Sequence, residues 1–250
     1  MKRFLIRALR RSGYQLVNLR KLYEFDGLHT VHNARFRDDP KFQAAWEGAF
    51  QSTGCVDPGS YWRIHIGLWA AEAATRIDGA FVECGVNAGF LSSAILRYLD
   101  WNALRKQFVL VDTFTGPVLS QYRPEEVALG RREAAEHALA AGAYVTDMDS
   151  VRRRYEHWNG VVIVQGTVPE VLASLDVKRV AFLHLDMNCA FPECEALKFF
   201  WDRISAGGIV LLDDYAYFGY EAQGDALDSV ACSLGASILA LPTGQGMILK

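Results

Sequence analysis

Apolar residues along this chain recur in two patterns, short solid runs and three-to-four-residue steps, and the two alternate from Gly79 to the C-terminus. Gly79 to Cys84, Phe108 to Val111, Val161 to Val164, Val180 to Leu185 and Gly208 to Leu212 are solid runs, the pattern of parallel strands buried on both faces. Helical spacing fills the intervals. Ile64, Leu68, Ala71 and Thr75 predict a helix over Tyr61 to Ile77, and a second helix continues from a glycine turn after Cys84 through Leu99. Further helices are predicted around Pro124 to Ala141, over Ser150 to Trp158, briefly over Pro169 to Leu175, and from about Ala222 to Leu234. Ala196, Leu197, Phe200, Trp201 and Ile204 predict one more from Pro192 to Ile204, stopped by Gly207-Gly208. Ile238 to Leu241 and Met247 to Leu249, separated by Pro242-Thr243-Gly244, predict an antiparallel hairpin. The expectation is an α/β fold: a seven-stranded mixed sheet of five parallel strands plus a C-terminal hairpin, with helices on both faces. Residues 1–60 read as an N-terminal helical extension of short helices and turns, with Asp39-Pro40 and Asp57-Pro58-Gly59 as breakers. Residues 61–250 read as the main domain, and the long segment 115–160 as a lid over the sheet's edge.

Acids mark the ends of these strands. Asp186 follows the fourth run, and Asp213 with Asp214 follows the fifth. A right-handed crossover brings both strand ends to one edge, so the three carboxylates converge. Carboxylates that close need a counter-ion or a shared proton, which suits them to a hard divalent cation or to proton transfer. An Asp-Asp pair alone reads as loop and cap residues; Asp186 on the partner strand shifts the weight to function. At the first strand, Glu83 precedes a turn in which Gly85 and Gly89 permit close approach of backbone to a ligand, and Ser92 and Ser93 can donate from the first helical turn. The spacing is not GxGxxG, and Glu83 would repel a phosphate, so a cationic or amine-bearing ligand is expected; a strand-to-helix turn needs a glycine in any case. Asp112, one strand-helix-strand unit later, is placed to accept two hydrogen bonds from a ribose diol, or is an ordinary strand-end acid. His137 and His157 in the lid read first as plain surface or core residues.

Bulk properties narrow the class. The composition, 51% hydrophobic and 22% charged, suits a globular protein with a sizeable core, and the net charge of -3 gives no general attraction to nucleic acid. Five cysteines at scattered spacings, without a CxxC pair, suggest neither a disulfide framework nor a zinc site and point to a reducing, cytoplasmic setting. The N-terminus is basic, with Lys2, Arg3, Arg7, Arg10, Arg11, Arg20 and Lys21 ahead of the first acid, Glu24. Phe4, Leu5, Ala8 and Leu9 fall on one helical face. A solvated helix packed on its own domain is the first explanation; peripheral contact with the anionic inner face of a membrane is the second. A homo-oligomer is compatible with the sequence.

The stretches FVECGVNAGFLS, LVDTFTG, HLDMNCAFPECEAL and GGIVLLDDYAYFGYEAQ resemble class I S-adenosylmethionine-dependent methyltransferases, which have a Rossmann-like fold, and within them the macrocin O-methyltransferase group, which acts on sugar hydroxyls. The resemblance covers the chain from Gly79 onward. It implies that Glu83, Gly85, Asn87 and Gly89 line the methionine part of S-adenosyl-L-methionine. Asp112 would hold the ribose, and Thr113, Phe114 and backbone of Gly166 and Thr167 would lie by the adenine. It also implies that Asp186, Asp213 and Asp214 hold a magnesium-type ion, Mg2+ or another divalent cation. Where many relatives carry a second acid two residues after the first, this chain has Asn188, which lowers the charge of the site by one. Metal-assisted O-methylation of a sugar or glycosylated small molecule is therefore the leading expectation, with Asp186 as the best proton acceptor and His184, on the same strand face, as the second candidate. The alternatives are a catechol-type O-methyltransferase, a silent binding protein of the same fold, and a nicotinamide-dependent oxidoreductase, the last disfavoured by Glu83 and the missing GxGxxG.

Overall fold

The computed structural model describes residues 2–14, 22–55 and 59–250; Arg20, Lys21 and the Asp57-Pro58 turn fall outside the described residues. Its centre is a seven-stranded sheet built from β3 (Ala80–Cys84), β4 (Phe108–Asp112), β5 (Val161–Gln165), β6 (Val180–Leu185), β7 (Ile204–Leu212), β8 (Leu239–Ala240) and β9 (Gly246–Leu249). The spatial order is β5-β4-β3-β6-β7-β9-β8. The first five strands are parallel and β9 runs antiparallel to both β7 and β8. This is the expected mixed sheet with its terminal hairpin.

Strand residues alternate between two cores. Phe81, Phe108, Leu110, Phe182 and Leu211 face one side, where α2 (Pro40–Thr53), α3 (Tyr61–Ala74) and α4 (Phe90–Tyr98) pack. Val82, Cys84, Val109, Leu183, Leu185 and Val210 face the other, covered by α8 (Ala190–Trp201) and α9 (Glu221–Ser233). The period of two explains why solid apolar runs were readable as strands: both faces are dry. It also assigns Glu83 and His184 to the α3–α4 face, in step with Phe81 and Phe182.

Cys84, Leu185 and Leu212 are laterally paired, so Gly85, Asp186 and Asp213 leave the sheet at one level. The turn after β3 fits only a glycine: Gly85 has φ +90°, and a Cβ there would collide with the backbone carbonyl oxygen of Asp186. The ends of β3 and β6 are thus in backbone contact.

Local expectations needed correction in several places. The helix before β7 ends at Trp201, and Ile204 opens β7 by pairing with Val180. Gly207 and Gly208 lie inside β7, where the register with β6 shifts, rather than ending a helix; the buried Ile204 satisfied a helical period by coincidence, and strand pairing decided its state. The predicted helix over 124–141 is broken into α5 (Pro124–Ala128) and α6 (Arg131–Ala140) by Gly130 at φ +75°. The next helix, α7 (Met148–Tyr155), starts earlier because Asp147 caps it by accepting from Asp149 N and Ser150 N. Only a short 3-10 turn, Leu172–Ser174, occupies the stretch from Pro169.

The N-terminal part holds more than short helices and turns. Tyr23–Phe25 and Leu28–Thr30 form a hairpin, β1 and β2, around Asp26 and Gly27, both at positive φ; the Asp-Gly pair was its sequence signal. Helix α2 places Phe42, Ala45, Trp46 and Ala49 in the same core as α4. The basic helix α1 (Lys2–Arg11) leaves Phe4 79% exposed. No helix among the described residues is long and apolar enough to cross a membrane.

Gly85→Ala should cost roughly 3 kcal/mol or more, because a collision with backbone adds to left-handed strain. Gly130→Ala, with the same sign of φ but open space around it, should cost only about 1–2 kcal/mol. Urea unfolding of the two variants checks this; equal losses would remove the close-approach argument.

Candidate active site

The carboxyl ends of β3, β4, β6 and β7 surround two adjoining cavities. One is lined by Gly85, Asn87, Asp112, Thr113, Gly166, Asp186 and Asn188, with Val145 and Tyr144 of the lid over it. The other is lined by Glu83, Asn87, Gly89, His184, Asp186, Asp213 and, from the N-terminal part, Asp26 and Arg63. Asn87 and Asp186 line both, so the two meet there.

In the first cavity, backbone groups organise the ligand-facing surface. Asp112 accepts from Val86 N at 2.7 Å and Asn87 N at 2.8 Å through Oδ2, and from Phe114 N at 2.7 Å through Oδ1. Its carboxylate therefore holds the glycine turn and the start of the lid together, whatever else it binds. Asn87 sits at φ +48° and its side chain bridges to the lid: Nδ2 donates to Ala143 O at 3.2 Å and Oδ1 accepts from Val145 N at 2.9 Å. Three expected cofactor contacts lie elsewhere. Ser92 is fully buried, with Oγ 2.9 Å from the Tyr155 hydroxyl. Phe114 is buried in the α3–α4 core, and Thr167 lines neither cavity.

The second cavity is an electrostatic cluster. His184 is not bonded to backbone, as a core histidine would be; Nδ1 pairs with Glu83 Oε1 at 3.0 Å, the two side chains standing side by side on β6 and β3. His184 Nε2 is 3.7 Å from Asp213 Oδ1 and makes no hydrogen bond. Burial alone would lower its pKa, but the carboxylates of Asp213 and Glu83 outweigh burial and push it up to about 10. These carboxylates favour a proton on the imidazole, and a divalent cation at Nε2 would take the place of that proton, so His184 suits the role of ligand better than that of proton acceptor.

Arg63, from the first turn of α3, is the residue that sequence reasoning missed. Its Nη2 donates to both the Asp213 carboxylate and the Asp213 carbonyl, the latter at 2.9 Å, and to Asp214 Oδ1 at 2.8 Å. Nη1 stands 3.7 Å from Asp26 Oδ2, and the guanidinium lies 5.2 Å from the centre of the Tyr217 ring. Burial opposes its charge, but Asp213, Asp214, Asp26 and Asp186 raise its pKa well above the usual arginine range. Nothing local in YWRIH marks Arg63, since its partners are some 150 residues away in sequence.

The three predicted acids are electrostatically distinct. For Asp213, burial is outweighed by Arg63 and His184, which hold its carboxyl well below the usual range; Gln245 Nε2 also donates to its Oδ1 at 3.0 Å. Desolvation, then Asp213, raise Asp214. Asp186 is raised well above the ordinary aspartate value by desolvation and by repulsion from Asp213 and Asp214. Among the described residues, Asn188 Nδ2 donates to it at 3.1 Å and no other side chain does. A proton or a cation at that place would relieve the repulsion.

Two buried glutamates aim this loop. Glu193 accepts from Met187 N at 2.9 Å and from Gln223 Nε2 at 3.0 Å, and burial pushes it up to about 8. Glu126 of α5 accepts from Ala190 N at 2.9 Å.

The residues fit a divalent cation. His184, Asp186 and Asp213 each offer a ligand atom, all within 4.8 Å of one another, and the Nε2 of His184 lacks any partner. Asp214, expected as the third ligand, is not in this group and bonds Arg63 instead. A set of two carboxylates and an imidazole suits manganese at least as well as magnesium. An amine fits beside Glu83, whose Oε2 is buried without a hydrogen bond.

Comparison with known proteins agrees with this layout. Residues 69–224 match the family described as macrocin-O-methyltransferase (TylF). The fold is similar to that of the O-methyltransferase NovP (TM-score 0.62, 20% identity, covering 75% of this chain and 79% of that one). It is also similar to CalS11, a calicheamicin methyltransferase (TM-score 0.53, 17% identity, covering 94% and 97%). A third likeness is to an O-methyltransferase from Bacillus cereus in complex with SAH (TM-score 0.51, 13% identity, covering 83% and 91%). No curated protein sequence matches the chain.

Arg63→Met should cost about 3–5 kcal/mol at neutral pH, because it strands buried carboxylates. In the intact protein, the depressed pKa of Asp213 contributes stability that is present above the unfolded value near pH 4 and is lost only as pH falls toward the folded value. In the variant the stranded acids take up protons sooner, so the difference in stability should shrink between about pH 7 and about pH 4.5. Urea titrations at both pH values measure it, and a pH-independent difference would mean Arg63 acts by packing alone.

Proposed function

We propose that this chain, which belongs to the macrocin-O-methyltransferase family, transfers the methyl group of S-adenosyl-L-methionine to a hydroxyl of a sugar or glycosylated small molecule with the help of a divalent cation. The observation that carries the reading is Asp186: it lines both the cavity suited to a methyl donor and the cavity that gathers the acids and histidine. NovP and CalS11 are named as an O-methyltransferase and a calicheamicin methyltransferase, and the family is described by macrocin O-methylation. These names support a glycosylated acceptor.

In this reading the turn from Gly85 to Gly89 seats the methionine end of the donor, with Glu83 Oε2 accepting from its amine. Asp112 faces its ribose, and Thr113 and backbone of Gly166 its adenine. Asp186, Asp213 and His184 hold the cation. A bound divalent cation lowers the pKa of an acceptor hydroxyl, which is otherwise a poor nucleophile. Asp186, in its ionised form, would accept the proton of the hydroxyl. Arg63 keeps Asp213 ionised and Asp214 turned away, so that Asp186 is the acid left free to change protonation. Asn87 ties donor turn to lid, which places donor and acceptor on a fixed line.

Calorimetry should show that the protein binds S-adenosyl-L-methionine or its demethylated product, and no binding of either would sink the proposal. Asp186→Asn should retain product binding while methyl transfer falls by about 10²–10⁴-fold, and chelation of divalent ions should abolish turnover. Assays against a sugar panel and a catechol panel decide the acceptor class; turnover of catechols alone would replace the carbohydrate reading.

A further inference from the structure

A second arginine stands behind Tyr220 and Asn188 at the rim of the site, and unlike Arg63 it has no ion-pair partner among the described residues. Arg131 opens α6 in the lid, and its Cζ lies 3.4 Å from the centre of the Tyr220 ring. Its Nε is buried without a hydrogen-bond partner, and no carboxylate pairs with it among the described residues. Asp214, an acid that the charge of Arg131 also reaches, is paired with Arg63 at 2.8 Å. A half-buried guanidinium that stacks on an aromatic ring and meets no acid keeps its donors for something outside the chain.

A second orphan donor lies beside it. The Tyr122 hydroxyl is buried and has no partner. Tyr122 packs against Ala135 and Cys189. Ala135 is one helical turn after Arg131 on the same face of α6, and Cys189 adjoins Asn188, so Arg131 and Tyr122 flank the same loop. The pair is wired to the reacting end of the site. Tyr220 donates to Asn188 Oδ1 at 2.5 Å, and Asn188 Nδ2 donates to Asp186 Oδ1 at 3.1 Å. Arg131 is thus separated from the proposed proton acceptor by one tyrosine and one asparagine.

Two donors without protein acceptors among the described residues, one of them on a charged group, suit a ligand that supplies acceptors and negative charge; a neutral hydroxyl would leave the guanidinium's charge unpaired. We infer that Arg131 and Tyr122 form a subsite for an anionic group, a phosphate ester or a carboxylate, carried by the acceptor close to the hydroxyl that is methylated. This deepens the proposed function and rests on it. The acceptor class becomes an acidic sugar, either phosphorylated or a uronic acid. The same cation offsets repulsion between that anion and the acids around Asp186, which otherwise disfavour any charged acceptor.

The test is calorimetry on protein saturated with S-adenosylhomocysteine, using inorganic phosphate, glucose 1-phosphate, glucuronate and neutral methyl glucoside as probes. Glucose 1-phosphate or glucuronate should bind at least about tenfold more tightly than methyl glucoside, the strength of one charge-assisted contact, and the tighter of the two identifies phosphate or carboxylate as the anion. Arg131→Met, which keeps an apolar stem over Tyr220, should erase that preference while leaving S-adenosylhomocysteine binding intact, and Arg131→Lys should restore part of it. Normal S-adenosylhomocysteine binding with no preference for any charged probe, or a preference that survives Arg131→Met, would overturn the inference alone. Failure of S-adenosylhomocysteine to bind would overturn the methyltransferase reading and the inference together.

Discussion

Too many carboxylates end at one edge of this sheet, and the rest of the site is arranged around the need to neutralise them. Glu83, Asp186, Asp213 and Asp214 all follow or close adjacent parallel strands, and Asp26 is added from the N-terminal hairpin. The chain itself supplies Arg63 from α3 and, when protonated, His184 from β6. They are not spread evenly. Arg63 takes Asp213 and Asp214, and His184 takes Glu83, which leaves Asp186 with a single amide donor and the repulsion of its neighbours. Low local dielectric makes such an imbalance expensive unless a proton or an external cation resolves it. The fold therefore concentrates its unmet electrostatic demand on one oxygen pair, at the junction of the two cavities.

Keeping that demand in place takes a rigid surround. The close approach of Gly85 to the Asp186 carbonyl fixes the separation of β3 and β6, and Asp112 clamps the backbone of the intervening turn with three hydrogen bonds. Beneath the loop that carries Asp186 and Asn188, Glu193 and Glu126 each accept from backbone N–H groups. These are buried acids used as structural acceptors. Their sequence signature is indistinguishable from that of surface helix residues, because α8 and α5 look ordinarily amphipathic until their neighbours are known.

That contrast shows what was legible in the sequence. Solid apolar runs identified all five parallel strands, since burial on both faces leaves no room for polar positions, and strand-end acids at Asp186, Asp213 and Asp214 followed from crossover handedness alone. The Asp26-Gly27 hairpin was signalled and passed over, because its strands are only three residues long. Ile204 was assigned to a helix since period and register compete at a helix-to-strand join, and only pairing with Val180 settles it. Arg63, Arg131 and Gln245 left no mark at all. Each acts through partners far along the chain, and a lone arginine in an amphipathic segment has many bland explanations.

The division has a consequence for how the two halves of the site are built. The side proposed for the methyl donor is local: a strand, a turn and the next strand end supply Glu83, Gly85, Asn87 and Asp112 within one supersecondary unit, where backbone geometry tolerates little change. The opposite side is assembled from segments that share no such unit. Asp26 comes from the N-terminal hairpin and Arg63 from α3, Arg131, Tyr122 and Tyr144 come from the segment 115–160, and Tyr217 and Tyr220 from the loop after β7. Side chains rather than backbone carry those contacts, through stacking and ion pairs that a single substitution can redirect. Arg63 is already spent on neutralising the edge of the sheet, so the charge that remains available to a ligand belongs to the lid, the segment least constrained by the fold. A scaffold arranged in this way would let a methyl donor and the acid cluster stay constant while, on the inference above, the group recognised beyond them is set by one residue on α6.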